Sequence, residues 1–269
     1  MLADLTAGAL HDARERELLR PLSRVKSAAA DAAPPLDALS ALAPADHVKI
    51  IAEVKRASPS RGDLAEIPDP AQLAVSYERG GASAISVLTE GRKFKGSLED
   101  LVDVRESVSI PVLRKDFISI PYQVFEARAA GADLALLIVA ALDQPTLAEL
   151  YGLITDLGMT ALVETHSAEE VDRAAELGAQ LVGVNARDLS TFELDRDLFG
   201  RLAERIPAGV VRIAESAVLV PADVAHYRAA GADVVLVGEA LVTNDPVSTL
   251  RAFLEAGSGD ATSEGRATS

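Results

Sequence analysis

The chain has 269 residues, 49% of them hydrophobic, a net charge of −15 at pH 7, and neither cysteine nor tryptophan. That charge repels nucleic acid and anionic membranes, and the missing thiols exclude disulfides, thiolate catalysis and Cys-ligated zinc. What remains open is one large domain with an aliphatic core, and an anionic substrate would then need a positive island in an acidic protein.

Residues 1–46 predict an amphipathic helical stretch over Leu2–Leu22, an Ala/Pro linker and a short helix near Leu36–Leu42. This N-terminus reaches charge too early for the apolar core of a signal peptide. Apolar runs such as Leu134–Leu142 fall short of the roughly 20 residues that a membrane helix needs. A cytoplasmic location is the expectation, with neither membrane nor nucleic acid as a partner.

Eight apolar segments follow: Val48–Val54, Ala84–Leu88, Ile110–Leu113, Leu134–Ala140, Thr160–Val163, Leu181–Asn185, Val210–Ala214 and Val234–Gly238. Four of them lie just beyond a Gly-Ala pair, at Gly81, Gly131, Gly178 and Gly231. The pairs recur at roughly 50-residue intervals, about two βα units. Helical patterns separate the segments: Ala71–Glu78, Leu98–Glu106, Tyr122–Ala130, Thr146–Leu157, Glu169–Leu177, Asp197–Arg205, Pro221–Ala230 and Pro246–Ala256. The fold class expected is α/β: a single (β/α)8 TIM barrel over residues 47–256, with a helical extension over 1–46. An open doubly wound sheet is the alternative, but no strand is followed by a GxGxxG turn. Residues 257–269, GSGDATSEGRATS, offer nothing to bury and are expected to form a disordered tail.

Barrels of this kind place their chemistry at the C-terminal ends of the strands. Glu53 and Lys55 end the first strand two residues apart, so they share one side of it. Lys115 and Phe117 do the same on the third, while Arg114 and Asp116 alternate with them and should face away as a structural ion pair. Glu164 ends the fifth strand; Asn185 ends the sixth, with Arg187 two residues on; Glu215 and Ser216 end the seventh. His166 could share the side of Glu164, although a helix-capping or surface role is the preferred reading. None of the four histidines has metal-ligand spacing, so no metal is expected. Gly91–Gly96 mimics a phosphate loop but lacks its lysine. The polar segment Arg56–Asp69 is long for a barrel connection and reads as a lid. Backbone amides near Ser216-Ala217, and at Gly238-Glu239 where a short helix starts, are candidates for holding a phosphate.

Seven motifs in order, IAEVKRASPSRG (Ile51–Gly62), SVLTEGRKFKGS (Ser86–Ser97), PVLRKDF (Pro111–Phe117), ALVETH (Ala161–His166), GVNARDL (Gly183–Leu189), RIAES (Arg212–Ser216) and VLVGEAL (Val235–Leu241), resemble the strand ends of indole-3-glycerol phosphate synthases. The likeness runs from about Val48 to Val247. It implies ring closure, decarboxylation and dehydration of 1-(2-carboxyphenylamino)-1-deoxyribulose 5-phosphate, with no cofactor and no metal, by a monomer whose partner is an anionic sugar phosphate. It also implies roles. Lys115 would be the general acid, Lys55 would hold the substrate and assist dehydration with Glu53, and Glu164 would be the partner acid/base. Asn185 and Arg187 would position hydroxyls and the carboxylate, and Glu215 and Ser216 would line the site. Phe94 and Phe117 would pack the aromatic ring, with phosphate against Ser58, Ala217, Gly238 and Glu239.

Lys55, Lys115 and Arg187 would together form the positive island, with carboxylates beside them limiting its net charge and exchanging protons, and Lys115, beside cations in a dry pocket, would have its pKa lowered toward neutrality. The family usually has Gly where Ala217 stands; a positive φ there would cost on the order of 1 kcal/mol. Phosphoribosylanthranilate isomerases share the fold but use a cysteine base, which this chain lacks. A weakened phospho-metabolite-binding paralogue is the competing reading from outside catalysis.

Overall fold

A computed structural model describes residues 1–188, 191 and 193–258. Its centre is a closed barrel of eight parallel strands: β1 (Lys49–Val54), β4 (Ala84–Leu88), β5 (Val112–Lys115), β6 (Leu134–Ile138), β7 (Thr160–Thr165), β8 (Leu181–Asn185), β9 (Val211–Glu215) and β10 (Val234–Val237). Each strand pairs with its sequence neighbour, and β10 closes on β1 with Lys49 opposite Val234.

Period-two alternation divides the core into two layers. Ile50, Ala52 and Val54 point outward to the helices, as do Val163, Val182 and Val235. Ile51, Leu113, Leu134, Leu162, Leu181, Val211, Ile213 and Leu236 point inward and fill the barrel. Strands buried on both faces must be apolar on both, hence their unbroken Val/Ile/Leu runs. Continuing the inward column by two residues at a time reaches Glu53, Lys115, Glu164, Asn185 and Glu215. The polar groups therefore sit on top of a dry aliphatic plug.

The N-terminal extension differs from expectation. Helix α1 spans Leu2–Leu19, and a second helix, α2 (Leu22–Asp31), stands where an Ala/Pro linker was expected; α3 is Ala38–Leu42. Pro21 separates α1 from α2. Val25 and Ala29 are buried on α2, and Val25 packs with Ala13 and Tyr122 of the barrel's outer wall. Its stripe is mostly alanine, so tertiary packing rather than strong periodicity makes the helix. The extension wraps the barrel: Leu5 and Ala9 of α1 reach the interior from the upper mouth, while Ala38 and Leu42 of α3 join it beside Ala84, at the start of β4.

The third barrel strand lies two residues later than expected, Val112–Lys115 rather than Ile110–Leu113. Its charges disguise it, yet Arg114 is fully buried, donating to the Gln123 carbonyl at 2.7 Å and to Asp116 at 2.8 Å. The connection after β1 carries a small antiparallel hairpin, β2 (Ala57–Ser58) with β3 (Gly62–Asp63), and Arg56 ties it down through Asp100 and the Ile67 carbonyl. Gly257 and Ser258 belong to the described chain, whereas the rest of the expected tail, 259–269, lies outside the described residues, as does Leu189.

Candidate active site

The C-terminal ends of the strands surround a cavity of about 560 Å³, a normal volume for a small-molecule site. Every expected site residue lines it: Glu53, Lys55, Ser58, Phe94, Lys115, Phe117, Glu164, Asn185, Arg187, Glu215, Ser216, Ala217, Gly238 and Glu239. They come from seven different strands or the loops just after them.

At the floor, Lys115 Nζ stands 3.1 Å from Glu164 Oε2 and 3.4 Å from Glu215 Oε2. Asn185 donates from Nδ2 to Glu164 Oε1 at 3.1 Å, and its Oδ1 accepts from the Ser216 hydroxyl at 2.8 Å and the Arg187 amide at 3.0 Å. To one side, Lys55 Nζ pairs with Glu53 Oε1 at 2.8 Å, and Ser86 donates to the other Glu53 oxygen at 3.3 Å. Two glycines make room for this crowd. A Cβ on Gly183 would stand 2.0 Å from Glu215 Oε1, and one on Gly238 would meet Glu53 Oε1 at 2.7 Å.

The electrostatics correct one expectation. Burial works to lower Lys115, but Glu164, Glu215 and Glu53 outweigh it and hold the ammonium above the ordinary lysine range, not near neutrality. Carboxylates stand beside the cavity's cations: Lys55, Arg61, Lys115 and Arg187 share it with Glu53, Glu164, Glu215 and Glu239. Cations this well buried need carboxylates to compensate lost hydration. The two floor carboxylates respond in opposite directions. Burial and the neighbouring Glu164 push Glu215 up to about 8. Burial would raise Glu164 as well, but Lys115 and His166 hold it below the usual carboxylate range. The arrangement favours negative charge on Glu164 and a proton on Glu215.

At one end, Ser216 and Ala217 take φ of 69° and 57°, the left-handed region that L-residues with a Cβ enter at a cost. Beyond β10, Gly238 opens the short helix Glu239–Val242. Arg61 of the hairpin, which sequence reasoning did not single out, reaches across to pair with Glu239. The opposite end is apolar. Phe94 and Phe117 lie 6.1 Å apart, with Leu5 of α1 completing the wall. Phe94 is presented by a loop that folds around Glu90, whose carboxylate accepts from the amides of Arg92, Lys93 and Phe94. Arg92 in turn grips Asp12 of α1. Neither Leu5 nor Glu90 carried a sequence signal: Leu5 acts through distant partners, and Glu90 through backbone amides that no side-chain pattern announces.

The pair Arg114–Asp116 is a buried ion pair, as its alternation with Lys115 predicted. His166 is neither a helix cap nor a surface residue. It is 13% exposed and stands 3.3 Å from Glu164, while the cap of helix α8 (Ala168–Glu176) is Ser167. Among the described residues, one group could hold a cation, His11, Asp12 and Glu15 on the surface of α1, and its Asp12 is already engaged by Arg92.

A dry barrel mouth that holds an ammonium between two buried carboxyls, with an apolar wall at one end and strained backbone at the other, defines a TIM-barrel enzyme for acid–base chemistry on a small substrate. The indole-3-glycerol phosphate synthase family model matches residues 2–253. The indole-3-glycerol phosphate synthase of Leifsonia xyli is 74% identical over 94% of this chain and 97% of its own length, and that of Mycobacteroides abscessus is 57% identical over 96% and 94%. The chain belongs to the indole-3-glycerol phosphate synthase family. Solved barrels similar in fold alone include the N-acetylmannosamine-6-phosphate 2-epimerase of Clostridium perfringens, with 15% identity and a TM-score of 0.57 over 74% of this chain and 90% of that one. The thiamine phosphate pyrophosphorylase of Pyrococcus furiosus gives 13% and 0.58 over 78% and 95%.

Proposed function

We propose that this chain carries out the family's reaction, a carboxy-lyase step of tryptophan biosynthesis, with its own residues in the following roles. The substrate is 1-(2-carboxyphenylamino)-1-deoxyribulose 5-phosphate; the products are indole-3-glycerol phosphate, CO2 and water. Its aromatic end lies against Phe94 and Phe117, and its phosphate against Ser58, Ala217, Gly238 and Glu239, with Lys55 nearby. Arg187 and Asn185 orient the carboxylate and sugar hydroxyls.

Ring closure forms a carbon–carbon bond between the anthranilate ring and the ketone carbon. Lys115 protonates the ketone oxygen as its electrons arrive. The ring carboxylate then leaves as CO2, and the electrons of the broken bond restore the amine. Dehydration removes the new hydroxyl as water and a proton from the adjacent carbon, which completes the indole. Glu164, ionised, takes that proton, while Lys55 with Glu53 assists the leaving hydroxyl. Ser216 steadies Asn185, and Glu215 lines the floor beside Lys115.

The observation that carries this reading is the placement of Lys115 Nζ 3.1 Å from Glu164 and 3.4 Å from Glu215. An ammonium kept charged by carboxylates carries its proton throughout the neutral range and stands beside groups that can exchange protons with it. A cytoplasmic setting accords with relatives that are biosynthetic enzymes; no described helix is long and apolar enough to cross a membrane. The test is direct. The purified protein mixed with the carboxyphenylamino-deoxyribulose phosphate should generate indole absorbance and fluorescence, and absence of product would refute the assignment. Glu164→Gln should retain binding and lose turnover.

A further inference from the structure

His166 has no task in the chemistry above, yet it touches a residue that does. It lies in the turn between β7 and α8. Its backbone amide donates to Glu170 Oε2 at 2.8 Å, and its Nδ1 stands 3.2 Å from the same oxygen. Glu170 is itself fixed, because its amide donates to Ser167 at the head of α8. The ring is thus braced from behind. Its front nitrogen, Nε2, is buried without a hydrogen-bond partner among the described residues and stands 3.3 Å from Glu164 Oε1.

The surroundings of Glu164 show what this contact does. Lys115 approaches from β5 and Asn185 from β8, while Glu215 on β9 competes for the same lysine. Glu164 is 1% exposed, as is Glu215. Two buried carboxyls sharing one cation cannot both be ionised cheaply, so one retains a proton. Lys115 touches both and donates to Glu164, as Asn185 does. His166 brings a second cation to this side, since of the two floor carboxyls it contacts only Glu164. The 3-10 turn Val139–Ala141, which packs on both β7 and α8, brings no charge to the ring.

We propose that His166 is a positioning residue: as an imidazolium braced by Glu170, it holds the negative charge on Glu164 and leaves the shared proton on Glu215. This deepens the functional reading and rests on it, since the choice matters only if Glu164 acts as a base. Burial alone would lower a histidine, but Glu164 and Glu170 raise His166 to about 10. It therefore stays cationic through the range in which the enzyme would work.

The experiment has two arms. In the first, kcat and KM are measured against pH for the wild type and His166→Gln, which keeps a hydrogen-bonding amide without the charge. The expected result is a kcat lower by up to about tenfold on the acid side of the profile, and KM within about twofold. Losing a cation at this distance raises a carboxyl by about one unit, so the acid limb of the kcat profile moves up by that amount. An unchanged limb, or a loss carried by KM alone, would overturn the proposal.

In the second arm, the imidazole of His166 is titrated by NMR in the wild type and in Glu164→Gln. His166 should remain protonated well past pH 8 in the wild type and titrate at least about one unit lower in the variant. Titration near the ordinary histidine value of about 6.5 in both proteins would overturn the coupling. If the wild type forms no indole product, the functional reading fails instead, and the titration still decides whether His166 and Glu164 share a charge.

Discussion

At the lower mouth of the barrel, Asp133 accepts from the amides of Leu36 at 2.7 Å and Val112 at 2.8 Å and from Arg105 at 2.5 Å. At the upper mouth, Glu215 is as deeply buried, yet neither of its oxygens has a hydrogen-bond partner among the described residues, and Lys115 stands 3.4 Å away. Both are carboxyls at the edge of one aliphatic core. The lower one has its lone pairs met by fixed donors, and it joins the segment before α3, Arg105 and the start of β5 into a base. The upper one is held by burial beside another carboxyl, so its charge is conditional. Saturated charge fixes structure; under-satisfied charge can take and give protons.

The contrast can be broken most directly at Lys115. We propose that Lys115→Ala lowers kcat at least about a hundredfold, as loss of a general acid does. A near-wild-type rate would end its role. The reverse pattern is expected below: Asp133→Ala should cost about 3 kcal/mol of stability by leaving Arg105 and two amides unmet. Calorimetry should show a melting temperature lower by several degrees, while kcat of the folded protein stays within about twofold. A large loss of activity without loss of stability would erase the distinction between the mouths.

Glu215 sharpens the contrast through pH. Its folded value of about 8 lies above the ordinary 4.5, so the native state holds a proton that the unfolded chain releases. Stability then falls as pH rises from about 4.5 through 8. Glu215→Gln removes that dependence: the variant and wild type should melt together near pH 4, and the variant should melt higher at pH 9. Equal melting temperatures at both pH values would mean that Glu215 ionises without penalty. The smallest effect is expected at Ala217, whose φ of 57° costs on the order of 1 kcal/mol relative to glycine. Ala217→Gly should lower KM by up to about fivefold with kcat unchanged, and an unchanged KM would detach that strain from phosphate binding.

The barrel could be read from the sequence because two periodicities agree with one topology. Alternation along each strand and the rule that function sits at strand C-termini together picked out Glu53, Lys115, Glu164, Asn185 and Glu215 before any coordinates. What could not be read were partners. Lys115 and Glu164 are 49 residues apart, and nothing local in either announces that carboxylates, not cations, would set the lysine's charge. Charged Arg114 hid the true span of β5, and α2 was missed because an alanine stripe becomes helical only against Tyr122 and its neighbours. Arg61 was in view as a member of a motif and His166 was read as a cap or surface residue, because the significance of each lies in whom it touches.

One consequence follows from Gly183, where an added methyl would collide with the Glu215 carboxylate. In a saturation library scored for growth without tryptophan, this position should tolerate no replacement and would score like an acid–base residue, although glycine has no functional group to offer. Such a map would reveal emptiness as a working part of the enzyme. Removing a vacancy can silence a reaction as thoroughly as removing a proton donor.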